Sequence, residues 1–104
     1  MKKQRIKNII KDCFWEYAFS EEDILSLAKS KNKQEQMFLF SKILENSQEL
    51  IKSMKIFDKK DLERLIKSYT VPTFKYEYMA RRFNIVEYYF LDKPLTINEL
   101  KWVA

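Results

Sequence analysis

The stretch QEQMFLFSKILE, Gln34 to Glu45, carries Met37, Phe38, Leu39, Phe40, Ile43 and Leu44. A helix lying on a protein surface needs only a narrow apolar stripe, repeating at i, i+3, i+4 and i+7. These side chains are too many for that stripe, so the segment is expected to be a central helix, buried over much of its circumference and surrounded by others.

Working outward, the flanking segments have the periods of shorter amphipathic helices. Upstream, Ser20-Glu21-Glu22-Asp23 has capping-box spacing and opens a helix with Ile24, Leu27 and Ala28 on one side, ending near Asn32. Earlier still, Ile6, Ile9, Ile10, Cys13, Phe14 and Tyr17 fall on one helical face, with Lys3, Lys7 and Lys11 on another. Downstream, Asn46 or Ser47 caps a helix that turns Leu50, Ile51, Met54 and Phe57 inward. Asp58 caps the next, with Leu62, Leu65, Ile66 and Tyr69 at i, i+3, i+4 and i+7. These last two helices are expected to pair closely.

Pro72 breaks the pattern, because proline suits a first helical turn and not a helix interior. A helix over 73–83 follows, with Tyr76, Met79, Ala80 and Phe83 inward. The run Ile85 to Leu91 is open between strand, helix and extended arm, since periodicity does not separate them. Asp92-Lys93-Pro94 reads as a turn, and Thr96-Ile97-Asn98-Glu99 opens a last short helix through Trp102.

The chain of 104 residues contains no glycine. Hairpin turns of types I′ and II′ favour residues that tolerate positive φ, so this absence argues against an all-β fold. Helices can end on asparagine instead, and Asn32, Asn46 and Asn84 each follow a helical stretch. The expectation is an all-α single domain over residues 1–104, built of six or seven short helices, with room for a short extended segment near the C-terminus.

The same composition restricts the chemistry. With no histidine there is no imidazole base, no histidine metal ligand and no Ser-His-Asp or Cys-His pair. Without glycine there is no phosphate-cradling loop and no dinucleotide fingerprint. The carboxylate clusters, Glu21-Glu22-Asp23 and Asp58 with Asp61, sit at helix starts, where unpaired N–H groups and the helix dipole favour them. No catalytic residue, cofactor or metal is expected, and the chain is read as a non-enzyme.

Cys13, alone, forms no intramolecular disulfide and reads as a small buried apolar residue in a reducing compartment. Asn8, Lys11 and Asp12 interrupt the segment that a signal peptide would need, and no run approaches the roughly 18 apolar residues of a membrane span. A cytoplasmic protein with no membrane partner is the expectation.

Two surfaces are candidates for binding. In CFWEYAF, Cys13 to Phe19, the helical face accounts for Phe14 and Tyr17, but Trp15 and Phe19 do not both fit it. Either the rings clasp the Phe38/Phe40 helix as core, or some remain exposed and anchor a protein partner. Phe14, Trp15, Glu16, Tyr88 and Trp102 are the partner-binding candidates. The formal charge of +5 leaves room for an anionic partner. The helices at 58–69 and 73–83 could form a helix-turn-helix unit presenting Lys75, Tyr78, Arg81 and Arg82 to nucleic acid. An exposed Tyr88-Tyr89-Phe90 would equally suit a second copy of the chain.

The segments Cys13-Phe14-Trp15-Glu16, Ile43-Leu44-Glu45-Asn46-Ser47 and Met79-Ala80-Arg81-Arg82-Phe83-Asn84-Ile85 resemble those of a small bacterial and archaeal family of helical proteins. That family has a Leu-Phe-Trp-Asp segment, a helix ending in Leu-Glu-(Arg/Asn)-Gly/Ser, and a Leu-x-x-x-Phe-(Asn/Gly)-Ile ending. Glu16 stands here for the usual Asp and Ser47 for the usual Gly. The resemblance implies an antitoxin-like or accessory partner of a nucleotidyltransferase-type protein of the abortive-infection kind. The expected function is thus a non-catalytic protein-binding or regulatory module, with the helix-turn-helix nucleic-acid binder as the alternative.

Overall fold

The structure, a computed structural model, describes residues 2–94, with side chains from residue 4 onward. The expected helix ending at Trp102, and Trp102 itself, lie outside the described residues. Within them the chain forms six helices and no strand: α1 Lys2–Cys13, α2 Glu21–Ala28, α3 Lys33–Asn46, α4 Leu50–Met54, α5 Lys59–Ser68 and α6 Tyr76–Leu91.

The central helix is where the crowded apolar stretch placed it, since α3 packs against each of the other five. Leu39, Phe40, Ile43 and Leu44 are fully buried, and Met37 and Phe38 pack against the same core from its edge. From α1, Ile6, Ile9 and Cys13 close over one side. Ile24 and Ala28 of α2, Leu62, Leu65 and Ile66 of α5, and Met79 and Val86 of α6 complete it. Removing this apolar surface from water is the main stabilising contribution.

Gln36 is the one α3 residue among the described core whose side chain carries a buried amide. Its Nε2 donates to the carbonyl of Ala28 at 2.8 Å and to Asp61 Oδ2 at 3.1 Å, and its Oε1 accepts from Arg64. Arg64 in turn lies 3.2 Å from Asp61. One amide therefore ties the end of α2 and the start of α5 to α3, and its burial is tolerated because each atom is satisfied.

Local chemistry explains the helix starts. Ser20 and Asp23 form the expected capping box, with Asp23 N donating to Ser20 Oγ at 3.2 Å and Ser20 N to Asp23 Oδ2 at 2.8 Å. Other boundaries differ from expectation. Helix α2 ends at Ala28, and Asn32 is the N-cap of α3, its Oδ1 accepting from Gln34 N at 2.8 Å. Ser47 closes α3 and its Oγ accepts from Glu49 N, while Glu49 occupies the N-cap of α4. Asp58 sits at the N-cap of α5 without a side-chain capping bond. Helices α4 and α5 do not pair closely: α4 packs on α1, α3 and α6, and α5 on α3 and α6. With only five residues, α4 has too short a side to make a helical hairpin.

The largest correction concerns the C-terminal half. The expected helix over 73–83 begins at Tyr76 and runs on through the ambiguous stretch to Leu91, so Ile85–Leu91 is helix and not an extended segment. Asn84 does not end it. Buried in mid-helix, its Nδ2 donates to the carbonyl of Pro94 at 3.3 Å, which places the turn after α6 back against the helix. With no glycine available, two other residues take positive φ: Lys75 at 55° before α6 and Asp92 at 59° after it. Tyr76, expected inward, is exposed on the first turn.

Candidate partner-binding surface

Helix α1 stops at Cys13 and the chain turns at once, with Tyr17 N donating to the carbonyl of Phe14 at 2.9 Å. The turn comes before Tyr17, earlier than the apolar spacing indicated. It drives Phe14 into the core, 1% exposed, and leaves Trp15 outside at 64%. Phe14 is therefore a packing residue and not a surface available to a partner, whereas Trp15 and Glu16 are both exposed.

The rings on either side of Trp15 hold this turn. Phe14 lies 5.4 Å from Tyr17, 5.2 Å from Phe19 and 5.8 Å from Phe38, and Tyr17 stacks on Phe19 at 5.1 Å. Lys42, one turn beyond Phe38 on α3, sets its ammonium 5.5 Å above the Tyr17 ring. The aromatic segment thus clasps Phe38, while Phe40 faces away toward Phe57 and Tyr69. Sequence reading overlooked Lys42, although its i+4 spacing from Phe38 was a usable signal.

Between this turn and the end of α3 lies a depression of 190 Å³, bordered by Trp15, Glu16, Lys42 and Glu45 with Cys13 at its base. Burial, and then the negative charge of Asp12, push the Cys13 thiol up to about 12, so it stays protonated and is a poor nucleophile. The depression is polar at its rim and offers an aromatic edge.

Residues of the nucleic-acid reading converge on the same place. Tyr78 donates its hydroxyl to the carbonyl of Glu45 at 2.7 Å, and Arg82 donates to the carbonyls of Leu44, Ile43 and Ser47. Helix ends leave carbonyls without intrahelical partners, and Tyr78 and Arg82 cap those of α3. The Arg82 guanidinium is thereby turned toward protein backbone. Lys75 is exposed, 5.4 Å over the Phe74 ring, and Arg81 is half-buried. Segment 69–75, which joins α5 to α6, is also longer than the roughly three- or four-residue turn of a helix-turn-helix unit.

The chain matches no family model, no curated protein and no solved structure. Its surface is thus read from its own geometry. Tyr88 is exposed on α6, about 15 Å beyond Tyr78 at 1.5 Å per residue, and so belongs to a different part of the surface from Trp15. Phe74 and Tyr89 are exposed as well; Tyr89 belongs to the run read as suiting a second copy, whereas Phe74 was not singled out from the sequence. No described helix is long and apolar enough to cross a membrane.

Proposed function

We propose that this protein is a non-catalytic protein-binding module whose anchor is Trp15, presented over the C-terminal end of α3. The exposure of Trp15 on a turn braced by Phe14, Tyr17 and Phe19 carries the reading. Tryptophan is among the residues most enriched at binding hot spots, and the packed rings of Phe14, Tyr17 and Phe19 fix the backbone turn that presents it. Glu16, Lys42 and Glu45 supply a charged rim of the kind that surrounds such anchors. Within the acidic clusters, Asp23 closes a capping box and Asp61 accepts from Gln36 and Arg64. The resemblance noted in the sequence supplies a partner to try first, a nucleotidyltransferase-type protein, toward which the module would act as an antitoxin-like companion.

The test is co-purification of the tagged protein from its native cell at low and high salt, comparing wild type with Trp15→Ala. The expected result is a stoichiometric protein that survives high salt and is lost with Trp15→Ala, while the variant unfolds within about 0.5 kcal/mol of wild type. Phe14→Ala, by contrast, costs about 3–5 kcal/mol because it opens a core cavity. Nucleic acid that elutes as salt rises, with no protein companion, would overturn the reading in favour of nucleic-acid binding.

A further inference from the structure

On α5 and α6, away from Trp15, lies a larger groove of 360 Å³ whose floor is Phe57, Leu62 and Phe90, with Tyr89 as one wall. Its volume falls in the range of formed ligand sites. A smaller depression of 150 Å³ adjoins it, sharing Lys55 and Phe57 and lined also by Ile6, Leu25 and Ile56. Together they make one trough around the α4–α5 connection, apolar along its α5–α6 part and mixed toward α1 and α2.

Charge distinguishes this trough from ordinary surface. Lys55 and Lys59 border the larger part, and Arg5, Lys29 and Lys55 the smaller, against the carboxylates Glu63 and Asp58. None of the four cations makes an ion pair among the described residues. Lys55 instead holds its ammonium 5.4 Å from the Tyr89 ring. Four cations against two carboxylates, beside an apolar floor, complement a ligand carrying both carboxylates and apolar side chains.

We infer that this trough binds an acidic peptide segment of a partner protein, its apolar side chains seated on Phe57, Leu62 and Phe90 and its carboxylates paired with Lys55, Lys59, Arg5 and Lys29. The lining favours peptide over nucleic acid, because Tyr89 is its one strongly exposed ring and Lys55 already lies over it, whereas single strands stack successive bases on several rings. The inference rests on the protein-binding reading but not on Trp15.

The probe is a fluorescein-labelled short peptide in which Glu alternates with Leu and Phe, titrated into the full chain by anisotropy and mapped by backbone amide NMR. Saturable binding is expected, with shifts at Lys55, Phe57, Leu62 and Phe90. Lys55→Glu/Lys59→Glu, both solvent-facing, should weaken it about tenfold or more, and Tyr89→Ala should weaken it without altering the melting temperature. Oligoglutamate should compete poorly. Equal binding by the charge-reversed variant, or failure of the peptide to bind, overturns the trough assignment. Shifts centred on Trp15 and Glu16 overturn it while leaving the protein-binding reading intact. Binding of oligo-dT in place of the peptide overturns both.

Discussion

The guanidinium of Arg82, on α6, donates from Nε to the carbonyl oxygen of Leu44 near the end of α3, 38 residues earlier in the chain. Arg82 lies 5.4 Å from the Tyr78 ring, and Tyr78 caps the neighbouring carbonyl of Glu45. The cation also sits at the negative end of the α3 dipole.

Arg82→Ala should therefore destabilise the fold by about 2–3 kcal/mol in urea denaturation, since it removes charge-assisted bonds and strands carbonyls that are partly buried. Arg82→Lys should recover only part of this, because one ammonium does not reproduce the fork that reaches Leu44 and Ser47 together. Unchanged stability in Arg82→Ala would show that the cap contributes nothing.

The Gln36 amide should prove sensitive out of proportion to its size. Gln36→Leu keeps the volume but leaves Arg64 and the Ala28 carbonyl without their partner, at a cost of about 1–3 kcal/mol. Because Asp61 accepts from both Gln36 and Arg64, the effect should be non-additive with Asp61→Ala in a double-mutant cycle. Additive losses would mean that the three side chains act independently.

Cys13 makes the fold sensitive to alkali. The thiol, ordinarily at 9.0, is pushed up to about 12 by burial and by Asp12. Between those values the unfolded chain loses this proton and the native chain keeps it, so stability falls as pH rises. The contribution is fully present below pH 9.0 and lost on approach to about 12. Burial, with Glu45, also raises Tyr69 above its ordinary 10.0 and acts in the same direction. Cys13→Ala should flatten the alkaline decline seen in thermal melts. In the native protein at pH 8, iodoacetamide should alkylate Cys13 far more slowly than in urea, and equal rates would contradict a buried thiol.

What the sequence determined by itself was set by local periodicity and local hydrogen bonding. The excess of apolar residues in Gln34–Glu45 marked α3 as central, the spacing of Leu62, Leu65 and Ile66 marked the inner face of α5, and Ser20 with Asp23 announced a capping box that is there. Each rests on neighbours within about four residues, the distance over which helical geometry acts. The run Ile85–Leu91 defeated the same reasoning. A short apolar segment satisfies both helix and strand periods, and Asn84 looked like a stop until its side chain found Pro94.

Only the tertiary structure decided which rings are core and which are surface. Phe14 and Trp15 are adjacent and equally apolar in the sequence, yet one is buried and the other exposed, because the chain turns between Cys13 and Tyr17 and a turn breaks the periodicity that assigns faces. Likewise Tyr78 and Arg82 share a polar helical face that looked free to meet nucleic acid, and they meet the end of α3 instead. Orphan carbonyls at a helix terminus attract whichever donors packing brings near, and the sequence carries no local record of that encounter. The lysines around Phe57 obey the same rule. Their charges are legible one by one, but the trough they border exists only where the α4–α5 connection meets α1, α2, α5 and α6.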